Sequence, residues 1–243
     1  MKPVNKQKIN NAINYWALLF AFCLPISRAG LVLSSSVIFL LWIIEGNFKE
    51  KVTILRTNLF VASALLLTSY MFVTLLWSDS ISEGLVHFKR LWYYFVLFVF
   101  ITSLQKKFIP YMLLAFLSAM LISEILSFGM FYELWTMKHG TASNPTPFMN
   151  HIEYSFFLCA TSAVLLVKFI LEKQFNWAKL IYGLFFLSTT INLFIIGGRA
   201  GQLAFILIIL ALIIFNVENK IKSVFMSLLL LVSIVATAYT FSP

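Results

Sequence analysis

Apolar residues arrive in long runs broken by short polar segments, from one end of the chain to the other. The runs fall near 12–27, 30–46, 58–77, 91–105, 108–129, 151–170, 178–197, 200–216 and 223–240. A helix needs about 20 mostly apolar residues to cross a bilayer, with roughly 17–25 tolerated. The pattern predicts an all-α fold, a polytopic transmembrane helix bundle of about nine spans. Tight turns are expected around Arg28-Ala29-Gly30, between the first two spans, and around Gly197-Gly198-Arg199, between the seventh and eighth. The run starting at Leu91 is short, but an amphipathic lead-in precedes it. There Ile81, Leu85, Phe88 and Trp92 recur at helical spacing, as in a helix lying along a membrane surface. A second polar break, about 130–150, contains Asn144-Pro145-Thr146-Pro147, which excludes continuous helix. It closes on Asn150-His151-Ile152-Glu153, where Asn can cap a helix and Glu three residues on can cap back. No linker or internal repeat divides the chain, so residues 1–243 read as one transmembrane domain.

The basic residues give this pattern a direction, because cytoplasmic loops are enriched in Lys and Arg. With the N-terminus inside, the cytoplasmic segments hold Lys2, Lys6, Lys8, Lys49, Lys51, Arg56, Lys106, Lys107, Lys168, Lys173, Lys179, Lys220 and Lys222. The opposite side holds Arg28, Lys89, Arg90, Lys138 and Arg199, and the C-terminus is expected there too, in the periplasm. The first run has no Ala-x-Ala-like cleavage site and another run follows at once, so it reads as a retained helix.

Composition agrees with lipid as the main solvent. Hydrophobic residues make up 61% of the chain and charged residues 11%, and the mean hydropathy is +0.93. A soluble domain carries about 25% charged residues, so this chain could not coat a water-facing globule. The net charge of +9 then marks topology and not a nucleic-acid partner. Cys23 and Cys159 lie inside apolar runs without metal-ligand spacing, and the three His are scattered. No metal or other cofactor is expected. A P-loop, a His-Glu-x-x-His zinc motif and a Gly-x-Ser-x-Gly elbow are all missing from the sequence.

The sharpest candidate is Ile195-Ile196-Gly197-Gly198-Arg199-Ala200-Gly201-Gln202. Small residues let backbones or a ligand come close, and a guanidinium can grip a phosphate with two parallel hydrogen bonds. The plainer reading of Arg199 is a snorkelling side chain at a turn. Arg90 stands with Glu83 and His87 at i, i+4 and i+7, either a site or a solvated helix face. Glu124 sits well inside the fifth run, where a carboxylate is costly and is a functional candidate by default. It could equally be protonated or paired with a polar residue of another helix. His151 and Glu153 fit the first turn of a helix more simply than a reaction.

Three pieces together resemble a family. They are Trp77-Ser78-Asp79 followed by the basic amphipathic segment through Arg90, Pro147-Phe148-Met149-Asn150-His151 opening a span, and Gly198-Arg199-Ala200-Gly201 between two spans. In order and hydropathy nearly the whole chain resembles the O-antigen ligase and polymerase superfamily, bacterial inner-membrane glycosyltransferases of lipopolysaccharide and surface-polysaccharide biosynthesis. The resemblance implies transfer of a glycan from an undecaprenyl-diphosphate carrier to an acceptor hydroxyl, on lipid A–core or a growing polysaccharide, without metal or nucleotide. It implies that Arg199 holds the donor diphosphate, with Arg90 as a second donor-binding residue. In that family a large outer loop follows the span matching 223–240 and supplies a further Arg and a His. The chain stops at Pro243, so the catalytic base is expected beyond it, and the sequence reads as an N-terminal portion that is inactive alone. Two alternatives stay open: a transporter or flippase of lipid-linked glycan with Glu124 as coupling carboxylate, and a non-catalytic membrane subunit.

Overall fold

A computed structural model describes residues 3–78, 80–89, 93–137 and 140–216. The expected ninth span at 223–240 lies outside the described residues, as do Arg90 and Lys138. The described chain is helical, and its β-type pairing is limited to two isolated bridges, Met137 with Gly140 and Thr141 with Asn144. The principal helices are α1 (Pro3–Cys23), α2 (Arg28–Glu45), α3 (Phe48–Thr57), α4 (Leu59–Thr74), α5 (Ile81–Lys89), α6 (Tyr93–Ser103), α7 (Ile109–Phe131), α8 (His151–Leu171), α9 (Trp177–Ile195) and α10 (Arg199–Asn216). Among the described residues five segments are long and apolar enough to cross a membrane: Arg28–Glu45, Leu59–Trp77, Lys106–Phe131, His151–Leu171 and Trp177–Ile195. This is a multi-pass, all-helical architecture.

Several boundaries differ from the sequence reading, each for a local reason. Arg28 and Gly30 belong to the first turn of α2, and the reversal is made upstream at 24–27. Ser27 is the reason: its hydroxyl accepts the Gly30 N–H at 3.1 Å and caps the helix. Gly30 instead allows close packing, since a Cβ there would lie 2.6 Å from the Cys23 sulfur. Arg199 likewise opens α10, so the second reversal is Ile196-Gly197-Gly198. The polar stretch between the second and third runs folds as the amphipathic helix α3, which the search for apolar runs passed over. The amphipathic lead-in is helical, as expected, and forms α5. The described part of helix α6 has 11 residues, about 16 Å of helix at 1.5 Å per residue.

The chain packs as two compact units, Met1–Ala119 and Met120–Pro243, with the division inside α7. In the first, α1 and α2 form an antiparallel hairpin on which α6 packs. Ile13, Ala17, Ile38 and Val99 are its fully buried centre, wrapped by Trp16, Phe20, Phe39 and Trp42. Asn14, completely buried, satisfies the end of α6 in place of a further helical turn. Its amide donates to the Ser103 carbonyl at 3.1 Å and its oxygen accepts the Gln105 N–H at 2.9 Å.

In the second unit α8 is central and packs against both α9 and α10. Asn150 caps α8 as expected, its side-chain oxygen accepting the Glu153 N–H at 2.8 Å. Glu153 sits in the first turn, where a negative charge suits the helix dipole. The described residues of the 132–150 segment are non-helical, as its prolines require, and Pro145, Thr146, Pro147 and Met149 are buried. It is pinned to α7 by the Ser127 hydroxyl, which donates to the Pro145 carbonyl at 2.6 Å.

Candidate functional site

At one end of the second unit the chain brings together the last turns of α7 and α9, the 132–150 loop and the first turns of α8 and α10. The Gly-Gly-Arg-Ala-Gly-Gln segment lies here, and most of its residues have a packing task. A Cβ on Gly198 would fall 2.3 Å from Ser155 Cβ and 2.8 Å from the His151 carbonyl oxygen. One on Gly201 would fall 2.5 Å from the Ser155 backbone carbonyl carbon. Both glycines therefore let α10 press onto the first turn of α8. Gln202 reaches back to the end of α9, its amide donating to the Leu193 carbonyl at 3.2 Å and the Ile196 carbonyl at 3.1 Å. Those carbonyls have no further turn of helix to bond them, so Gln202 staples the end of one helix to the start of the next.

Arg199 is different. It is exposed at the head of α10, on the backbone of a turn held from both sides. His151, half-buried, begins α8 directly beside Gly198. An exposed Arg199 at the amino end of α10 makes this end of the unit suited to an anion, because the helix dipole favours negative charge there, whereas the amino end of α8 is already occupied by the Asn150 cap and Glu153.

Glu124 lies deeper, about two helical turns from the end of α7, and is 2% exposed. The Ser188 hydroxyl donates to its Oε1 at 2.7 Å, and the Thr189 hydroxyl lies 3.3 Å from its Oε2. This carboxyl is thus met by polar residues of another helix, one of the outcomes open from the sequence. Tyr154 is completely buried against it from α8, with its hydroxyl facing Ser123 and Ser127. Ser127 and Asn192 continue the polar row towards the Pro145 carbonyl. Arg199 and Glu124 therefore belong to the same unit but occupy different levels of it.

In the first unit Glu83 is exposed in the first turn of α5. Its proposed companion Arg90 lies outside the described residues, and so does the side chain of His87. Among the described residues no group of His, Cys, Asp and Glu side chains is arranged to hold a metal ion.

Sequence reasoning missed a second buried polar cluster, in the first unit. Lys51, counted from the sequence as a loop charge, is buried and pairs with Glu45 at 2.7 Å. Its ammonium also donates to the Trp42 carbonyl at 2.9 Å and lies 4.6 Å from the Trp42 ring centroid. Glu45 is further held by Asn10 at 2.8 Å and Ser103 at 2.9 Å. The available signal was Asn10-Asn11 and Asn14 on one helix beside an apolar run, an amide load that needs partners once buried. No family model, no curated protein and no solved structure matches this chain.

Proposed function

We propose that this chain binds an undecaprenyl-diphosphate-linked glycan at the Arg199 end of its second unit and serves its transfer to an acceptor hydroxyl, in the manner of the O-antigen ligases it resembles. The carrying observation is the division of labour in the Gly-Gly-Arg-Ala-Gly-Gln turn. Gly198, Gly201 and Gln202 are committed to holding α8, α9 and α10 together, while Arg199 stands exposed on that rigid support. A turn built this tightly fixes the backbone from which its one cation projects.

In this reaction the bond between the sugar and the carrier phosphate breaks, a glycosidic bond forms to the acceptor oxygen, and the acceptor proton passes to a base. Negative charge develops on the departing diphosphate, and a preplaced guanidinium stabilises it there more than in the ground state. A bidentate grip on two phosphate oxygens also orients the donor. The amino end of α10 adds to the same field. In this reading the Arg199 end faces the periplasm, the membrane is the bacterial inner membrane, and the acceptor is lipid A–core or a growing polysaccharide. Arg90 would contribute a second donor contact.

The test is Arg199→Ala introduced into the intact form of the transferase, assayed for glycan transfer by a lipopolysaccharide gel and by reaction of that purified form with lipid-linked donor. Transfer should be abolished, with about 100-fold loss as the lower bound for removing a transition-state donor, while membrane insertion is unchanged. Normal transfer by Arg199→Ala overturns the assignment.

A further inference from the structure

The second polar feature of this unit, around Glu124, has no task in the reading above. Its hydrogen-bond geometry can be resolved proton by proton. The Thr189 hydroxyl carries one proton, and it donates this to the Phe185 carbonyl at 2.7 Å. The same oxygen lies 3.3 Å from Glu124 Oε2. An ionised carboxylate would meet only the hydroxyl's lone pairs there, whereas a carboxylic acid donates to them. Glu124 Oε1 meanwhile accepts from Ser188 at 2.7 Å, which the carbonyl oxygen of a carboxylic acid can do. With one proton on Oε2 every contact becomes a donor facing an acceptor.

The surroundings supply no alternative neutraliser. Tyr154 is the titratable group that faces Glu124 from α8, and α9 presents Ser188 and Thr189. Among the described residues no basic side chain pairs with Glu124. Lys179, on the same helix as Ser188, donates to the Glu172 carbonyl at 2.8 Å at the other end of the unit. A lone ionised carboxylate in an apolar interior costs far more than a protonated one.

A row of polar groups leads from this carboxyl towards the 132–150 loop. Ser123 Oγ and Tyr154 Oη are buried and face each other without closing a well-formed hydrogen bond, and the amide nitrogen of Asn192 is buried without a partner. Ser127 also carries a single proton, given to the Pro145 carbonyl at 2.6 Å, so its 3.1 Å contact with Asn192 calls for the amide NH2 on that side. Either way round, one end of the Asn192 amide is left buried and unpaired. Buried hydroxyls and amides in this density are the setting in which internal water is held.

We propose that Glu124 is a proton-binding site of this protein, neutral in the folded state, and that Ser123, Tyr154 and Asn192 line a hydrated path to it from the 132–150 loop. The site does not depend on the glycan-transfer reading, because none of these residues lies in the Arg199 turn.

Infrared spectroscopy of the purified full chain in lipid nanodiscs tests this. At mildly alkaline pH exposed carboxylates are ionised and Glu45 is paired with Lys51. A carboxylic C=O stretch above the amide I band should remain, shift on deuteration, shift again with carbon-13 glutamate, and vanish in Glu124→Gln. Gln preserves both an acceptor for Ser188 and a donor to Thr189, so the variant should keep the wild-type melting temperature. If it fails to fold, the labelled wild-type band alone decides. The absence of that band overturns the proposal. So does a sodium-dependent rise in melting temperature that Glu124→Gln loses, which would make the site one for a metal cation.

Discussion

Lys51 shows how much one side chain can carry when its surroundings are complete. It is 4% exposed, yet its ammonium meets a carboxylate, a backbone carbonyl and an indole face at once. Removing one member of a buried ion pair strands the other, at about 3–5 kcal/mol. We expect Lys51→Met to lower stability by about 3 kcal/mol, read as a fall in melting temperature of the purified protein in detergent. Adding Glu45→Gln should recover part of that loss, because the stranded charge goes with it. Additive losses would mean that the pair is only a surface contact. Nothing local in Lys49-Glu50-Lys51 told these charges apart; Lys51 is distinguished by the end of α2, where Trp42 and Glu45 await it. Arg199 shows the opposite relation. Its neighbours Gly198, Gly201 and Gln202 were legible as a motif, but which of them pack and which one stands free followed only from the position of α8.

At the scale of elements, the close approach of α8 and α10 rests on two glycines opposite Ser155. Gly201→Val should force the helices apart, because its side chain would meet the backbone at Ser155. Over-packing of this kind costs about 1–3 kcal/mol. The readout is again the melting temperature, and a variant as stable as wild type would show that α10 does not rest on α8. Gly197 is a control, since a Cβ there meets nothing within 4 Å and Gly197→Ala should be tolerated. The elements themselves were largely legible. The runs at 151–170 and 178–197 match α8 and α9 to within a residue or two, and the run at 200–216 starts within a residue of α10, because apolar runs and asparagine caps are local properties. Helix α3 leaves no mark among the apolar runs, since its polar face interrupts them. Helix α6 ends where Asn14, far away in sequence, captures Ser103 and Gln105.

At the scale of the molecule, the expected orientation can be tested on either side of α8. Ser143, in the 132–150 loop, and Lys173, just after α8, are both exposed, while the native Cys23 and Cys159 are buried. In intact cells a membrane-impermeant thiol reagent should label S143C, and label K173C only after permeabilisation. The reverse result would invert the topology read from the basic residues. The helical class of the chain was set by the sequence alone: helices long and apolar enough to span, non-helical backbone at the prolines, and the cap at Asn150. These depend on neighbours a few residues apart, and local chemistry is written into the order of residues. Tertiary structure decided the rest. It buried Lys51 against Glu45, left Arg199 exposed on a fixed turn, and enclosed Glu124 among Ser188, Thr189 and Tyr154. The reason is that a polar group's partner in an apolar interior comes from whichever helix packs opposite, and helical spacing alone does not say which helix that is.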